Sequence, residues 1–179
     1  MTTRTDAADP VTIDRERRDL LESLGTHRFF LRNTLRGLDD AQAAARTTVS
    51  ELTLGGLIKH VTGVEARWAD FIVRGPVAMR APDGEGSTDE WAAGFRMAPG
   101  ETAAGLLGAY AQVAARTDEL VRGLPDLDAE QPLPAAPWFP PGARWSARRV
   151  LLHLVAETAQ HAGHADIIRE SLDGAKSMG

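Results

Sequence analysis

The 179-residue chain contains no cysteine. This absence excludes disulfide bonds, thiolate metal ligands and a cysteine nucleophile, so any thiol chemistry has to use a thiol from outside the protein. No apolar run approaches the roughly 20 residues that a membrane-spanning helix needs. The polar N-terminal stretch MTTRTDAADPVT also lacks the apolar core of a signal peptide. We therefore expect a cytoplasmic protein with no membrane partner.

An excess of positive charge is also missing. The chain carries 20 lysines and arginines against 25 aspartates and glutamates, which gives a net charge of -5. Nucleic-acid surfaces need clustered cations, so we expect no nucleic-acid partner. The apolar content of 43% is typical of a globular protein. We predict a flexible N-terminus over residues 1–12, one domain over 13–173 and a flexible C-terminus over 174–179.

Four segments have the apolar periodicity and the end signals of long helices. They begin at Asp14, near Thr53, near Glu101 and at Ser146, and the last three end before Gly75–Pro76, at Gly123 and before Gly174. No segment alternates polar and apolar residues well enough to predict a strand. The pattern predicts an all-α protein, a four-helix bundle with one or more long crossover connections.

The last predicted helix contains an unusual polar cluster. The stretch HLVAETAQHAGHAD, residues 153–166, holds three of the five histidines of the chain together with a glutamate. On a helix, His153, Glu157, His161 and His164 fall within about 80° of one another. Apolar residues share that face, so the polar groups point toward the core. Burying them without partners would cost on the order of several kcal/mol, which means that something has to satisfy them.

The spacing of this cluster suits a metal ion. Glu157 and His161 lie at i and i+4, which lets both side chains reach one ion from a single helix. A third ligand should come from a facing helix, and the candidate is His60, on the flank of the apolar stripe of the second helix. Gly55 and Gly56 just before it would permit a close helix contact or the approach of a ligand.

The remaining histidines have several interpretations. His164 could be a fourth ligand, a general base or a hydrogen-bond partner of a ligand, and the spacing does not order these roles. His153, one turn before Glu157, is interpreted as a hydrogen-bond partner of that carboxylate. His27 faces inward on the first helix without local partners, so we interpret it as a core residue.

Two connections have the composition of loops. Residues 76–99 and the stretch AAPWFPPGARW, residues 135–145, are rich in proline or glycine, and we expect them to line the mouth of the bundle. The sequence of neither connection indicates which substrate the protein binds. We interpret Trp68, Trp138 and Trp145 as packing groups.

Two long segments carry a resemblance to a known family. These are LTLGGLIKHVTGVEARW on the second helix and WSARRVLLHLVAETAQHAGHADIIRE on the fourth. Through them the chain resembles the DinB-like superfamily, in the branch near the N-terminal domain of mycothiol-dependent maleylpyruvate isomerase. The resemblance implies a DinB-like four-helix bundle holding a divalent metal. His60 matches the ligand on the second helix, and Glu157 and His161 match the Glu-x3-His ligands on the last. It leaves the role of His164 open, and we predict that residue as catalytic.

The resemblance also implies a reaction class. Relatives are transferases or isomerases that use mycothiol, bacillithiol or a similar small thiol. Two neutral imidazoles and one carboxylate leave zinc a net charge of +1 and an open position, where a thiol would lose its proton and attack an electrophile. We expect zinc, with nickel or iron as alternatives, a mycothiol-like co-substrate and a small electrophilic substrate.

Other functions remain open at this point. A non-catalytic metal-binding stress or structural bundle would close the site with a fourth protein ligand. A metal-dependent hydrolase would use bound water as nucleophile, with His164 or His153 as the base. A metal-free bundle would simply hydrogen-bond its histidines. Apolar stripes on bundles often pair, which leaves a homodimer open as well.

Overall fold

The computed structural model describes residues 14–80 and 92–177. The N-terminal segment predicted over 1–12, positions 81–91 of the predicted loop and the last two residues of the chain lie outside these residues. The described residues form these helices and strands, in chain order: α1 Arg15–Asn33, α2 Asp40–Ala44, α3 Leu54–Arg74, the 3-10 helix Gly75–Met79, α4 Ala103–Gly123, β1 Glu130–Pro132, β2 Arg144–Ser146 and α5 Ala147–Asp173. The four long helices are those predicted.

Local capping explains where the long helices begin. In each, an oxygen-bearing side chain accepts a hydrogen bond from a backbone N–H three residues further on, which satisfies a donor that the helix leaves free. The capping residues are Asp14, Thr53, Thr102 and Ser146. The start predicted near Glu101 was therefore slightly early. At the other end of α5, Gly174 adopts a φ of 77°, the left-handed conformation that favours glycine.

The first and the last helix of the chain, α1 and α5, run side by side in the same direction. At their beginnings Arg148 forms an ion pair with Glu16, and near their ends Arg169 Nη1 donates to the carbonyl of Thr34 at 2.6 Å. Both helices also pack against neighbours in the ring, α1 against α4 and α5 against α3, while α3 packs on α4. Helices α1 and α3 therefore occupy diagonal corners of the bundle.

The core consists of two apolar clusters, one toward each end of the bundle. One cluster joins the ends of α1 and α5 to the beginnings of α3 and α4, with Leu31, Leu35, Leu57, Ile58, Ala103 and Ala165 among its members. The other joins the opposite ends, with Leu24, Phe71, Val121, Val150 and Leu151. Helices α3 and α4 thus run antiparallel to α1 and α5. The connection from α3 to α4 has to return along the whole bundle, which is a long crossover of the predicted kind.

The prediction that the chain contains no strand was wrong. The Pro-rich connection between α4 and α5 contains an antiparallel pair of strands, β1 and β2, with Glu130 opposite Ser146. Each strand has three residues, too few to show a polar and apolar alternation. Trp68 and Trp145 stack on each other, as expected of packing groups, but Trp138 is 75% exposed and so does not pack as expected.

A buried ion pair crosses the diagonal of the bundle between the two clusters. The Arg28 guanidinium on α1 donates to both carboxylate oxygens of Glu65 on α3 and to Asp118 on α4. Burial disfavours the charged guanidinium, but the hydrogen bonds and charges of Glu65 and Asp118 outweigh it and raise the pKa of Arg28. Within residues 14–80 and 92–177, no helix is long and apolar enough to cross a membrane.

Candidate metal centre

Three side chains from two facing helices converge on one point. His60 Nε2 on α3 lies 3.3 Å from Glu157 Oε1 on α5, and His161 Nε2 lies 3.2 Å from the same oxygen. The ligand atoms of all three residues lie within 4.8 Å of one another. We call these residues the triad. The three candidates that the sequence analysis drew from separate helices are thus brought together.

The triad fits a divalent cation. A tetrahedral ion with bonds of about 2.0–2.1 Å separates neighbouring ligand atoms by about 3.3–3.4 Å. The two distances to Glu157 Oε1, 3.2 and 3.3 Å, are close to this value. Three protein donors leave a fourth position for a small molecule. A set of two histidines and one carboxylate accepts zinc, nickel, iron or cobalt.

The carboxylate of the triad is ionised at neutral pH. Hydrogen bonds from His161 and from His60 hold the pKa of Glu157 far below its usual range, and they outweigh the opposing effect of burial. An ionised carboxylate can only accept, so a hydrogen bond from either ring to Glu157 Oε1 uses the tautomer that carries its proton on Nε2. A metal on the Nε2 atoms would require the tautomer with the proton on Nδ1, so metal binding would change which nitrogen of each ring is the donor.

His164 lies behind His161, away from the triad oxygen. Its Nδ1 atom is 3.5 Å from His161 Nδ1, and the two rings are tilted by 58°. The group of converging ligand atoms contains His60, Glu157 and His161 but not His164. Of the roles left open by the spacing, this position favours a hydrogen-bond partner of the His161 ligand.

His153 and His27 lie apart from the triad. The His153 ring contacts Trp68 and Trp145 edge-on, with centroids 4.9 and 5.3 Å away, and no hydrogen bond joins it to Glu157 in the described part of the chain. The interpretation of His153 as a partner of that carboxylate was therefore wrong. Burial lowers the pKa of His153 and keeps the ring neutral. His27 is half-buried on α1, with its ring centroid 6.5 Å from that of Phe30, so it lies at the margin of the core.

The sequence analysis missed Phe95. Its ring stacks on His60 with centroids 4.0 Å apart and planes 20° from parallel. The only local signal was the glycine pair before His60, and the structure shows what approaches it: the Met97 side chain at Gly55 and the Phe95 carbonyl at Gly56. The glycine pair thus makes room for Phe95 and Met97 of the same chain.

Comparison with known proteins identifies the family. A model of the mycothiol-S-transferase family matches residues 19–174, a range that includes most of α1, the other three long helices and the whole triad. The chain belongs to the mycothiol S-transferase family. This membership confirms the resemblance to a mycothiol-related, DinB-like branch, and the family name indicates S-transferase activity with a small thiol as partner. No curated protein matches the chain significantly.

Proposed function

We propose that the protein is a divalent-metal-dependent enzyme that activates mycothiol or a similar small thiol for S-transfer to a small electrophile, or for isomerisation of one. The observation that carries the proposal is the convergence of His60, Glu157 and His161, whose ligand atoms lie within 4.8 Å of one another, in a chain of the mycothiol S-transferase family. We expect zinc, with nickel or iron as alternatives, in a cytoplasmic protein. A homodimer and a single domain over 13–173 remain part of the proposal.

The residues of the triad and His164 would have different roles in this reaction. A divalent metal in the triad would lower the pKa of a thiol bound to it, so that the thiol reacts as a thiolate near neutral pH. His60 and His161 would hold the ion from two helices, and the Glu157 carboxylate would supply one negative charge. The chain has no cysteine that would compete with the incoming thiol. His164 orients His161, and its predicted catalytic role would act through that ring.

Elemental analysis tests the proposed metal. Wild-type protein without tag histidines should contain close to one metal per chain after zinc loading, and His60→Ala and His161→Ala should contain almost none. His27→Ala, which removes a histidine that is not part of the triad, should bind like the wild type. No metal in the loaded wild type, or equal loss in the His27 variant, would contradict the proposal.

Activity separates the remaining alternatives. We expect the loaded wild type to consume the thiol of mycothiol in the presence of an epoxide or an activated aryl halide, and a chelator to abolish the reaction. Metal binding without any such reaction would favour the non-catalytic bundle. Hydrolysis of an ester without added thiol would favour the metal-dependent hydrolase.

A further inference from the structure

The two histidines of the triad differ in what lies next to the second ring nitrogen. A metal-binding histidine is ordinarily held by a hydrogen bond at its second ring nitrogen, which sets the tautomer and the ring plane. His161 has such a neighbour in His164. No hydrogen bond reaches Nδ1 of His60 from any residue of the described ranges. Its imidazole instead lies flat against the Phe95 ring.

The segment that carries Phe95 is fastened to α3 beside this contact. We call residues 95–101 the strap. The ammonium group of Lys59, the residue next to the proposed ligand, donates to the carbonyl of Arg96 at 3.3 Å and to the Glu101 carboxylate at 3.0 Å. The same carboxylate accepts from the backbone N–H of Ala98 at 2.6 Å. The strap is thus held by a charged, partly buried anchor, which fixes the position of its aromatic ring.

The glycines of α3 make room for the strap. A Cβ atom at Gly56 would collide with the backbone carbonyl of Phe95, and it would also lie 2.8 Å from Thr53 Oγ1. Backbone atoms cannot turn aside as a side chain can, so a larger residue would push the strap away from the helix. Gly63 lies in the same helix one turn beyond the ligand, and a Cβ atom there would meet nothing within 4 Å. The two glycines form a matched pair of positions.

We propose that Phe95 is a positioning residue, which holds the His60 imidazole in the plane that points its Nε2 atom at the metal position. The second side-chain torsion of histidine has a broad energy profile, so the ring needs an outside contact to fix it. The stack supplies that contact and keeps water from one face of the ring. The inference rests on the proposed function only through the metal, and it predicts the ring orientation in the metal-free protein as well.

Zinc affinity tests the inference in four variants, Phe95→Leu, Phe95→Tyr, Gly56→Ala and Gly63→Ala. The zinc dissociation constant is measured by competition with a chromophoric chelator, beside the Tm of each metal-free variant. Loss of an outer contact of a ligand weakens metal binding about tenfold or more, so we expect that change in Phe95→Leu and Gly56→Ala. Phe95→Tyr and Gly63→Ala should bind like the wild type. Wild-type affinity in Phe95→Leu, or equal weakening in Phe95→Tyr, would overturn the inference.

A second measurement reads the orientation without any metal. In the proton NMR spectrum of the metal-free protein, the aromatic face of Phe95 should shift the imidazole protons of His60 upfield, in the wild type and in Phe95→Tyr. Those protons should move toward their ordinary positions in Phe95→Leu. Unchanged His60 signals in Phe95→Leu would overturn the inference whether or not the protein binds zinc, whereas a wild type that fails to bind zinc would count against the proposed function alone.

Discussion

At the scale of single residues, the triad depends on one carboxylate oxygen shared by two imidazoles. Glu157 Oε1 accepts from both His60 and His161, and these hydrogen bonds keep the carboxyl group ionised. A divalent ion would replace the two protons as the positive partner of that oxygen. Each imidazole has a further neighbour: the His164 ring lies at the second nitrogen of His161, and Phe95 stacks on His60 and also lies 6.3 Å from the His161 ring.

We predict that His164→Ala weakens metal binding without removing the site. The His164 ring lies 3.5 Å from the remote nitrogen of His161, so its loss should raise the zinc dissociation constant about tenfold while one ion still binds at saturation. The measurement is a chelator competition beside His161→Ala, which should lose the site. Equal loss in both variants would instead make His164 a fourth ligand.

At the scale of elements, a joint between the ends of α1 and α5 keeps the two parallel helices in register. Arg169 on α5 donates to the carbonyl groups of Thr34 and Arg36, which lie beyond the end of α1, and it pairs with Asp173 on its own helix. The terminal carbonyl groups of a helix have no partners within the helix. One arginine therefore caps α1 and fastens it to α5.

We predict that Arg169→Met lowers the free energy of unfolding by about 1–3 kcal/mol, because it leaves carbonyl groups of the joint without their charged donor. Urea denaturation measures the change. The control is Arg74→Met, which removes an exposed ion pair with Asp70 within α3 and should change the free energy by less than about 0.5 kcal/mol. Equal effects in the two variants would mean that the joint contributes no more than a surface ion pair.

At the scale of the whole molecule, a polar layer separates the two apolar clusters. The Arg28 and Glu65 side chains, 7% and 1% exposed, join the diagonal helices α1 and α3, and Asp118 adds α4. A buried ion pair gains little over apolar groups of the same shape, but removing one partner leaves an uncompensated charge. The layer therefore penalises any arrangement in which α1 and α3 fail to meet.

We predict that Glu65→Ala destabilises the protein by up to about 3–5 kcal/mol, because it leaves the buried Arg28 guanidinium with only the partly exposed Asp118 as a charged partner. The double variant Arg28→Met, Glu65→Leu should recover most of that loss. The free energies come from urea denaturation of the metal-free proteins. A double variant as unstable as the single one would contradict this account of the layer.

We predict further that zinc stabilises the whole bundle, because the triad links α3 to α5. At a free zinc concentration of 100 times the dissociation constant, the free energy of unfolding should rise by about 2.7 kcal/mol. Calorimetry with and without zinc measures the rise, and His60→Ala should show none. A zinc-dependent rise of the same size in His60→Ala would place the ion elsewhere.

Features that depend on nearby residues could be predicted from the sequence. Capping side chains such as Asp14 and Ser146 act within three residues, and apolar periodicity depends on the helix alone, so the long helices and the spacing of Glu157 and His161 were predictable. His60 was a candidate from its place on the flank of the apolar stripe of a facing helix, and the family resemblance supported it. The short strands β1 and β2 were not predicted, because three residues are too few to show an alternation of polar and apolar residues.

Only the tertiary structure decided which distant groups meet. The stack of Phe95 on His60, the ion pair of Arg28 with Glu65 and the tryptophan contacts of His153 all join residues from different segments. No local pattern encodes such contacts, because they depend on how the helices cross and where the crossover segment returns. The sequence by itself determined the helices and the residue types of the candidate metal centre. The packing of the helices decided which other residues lie against them.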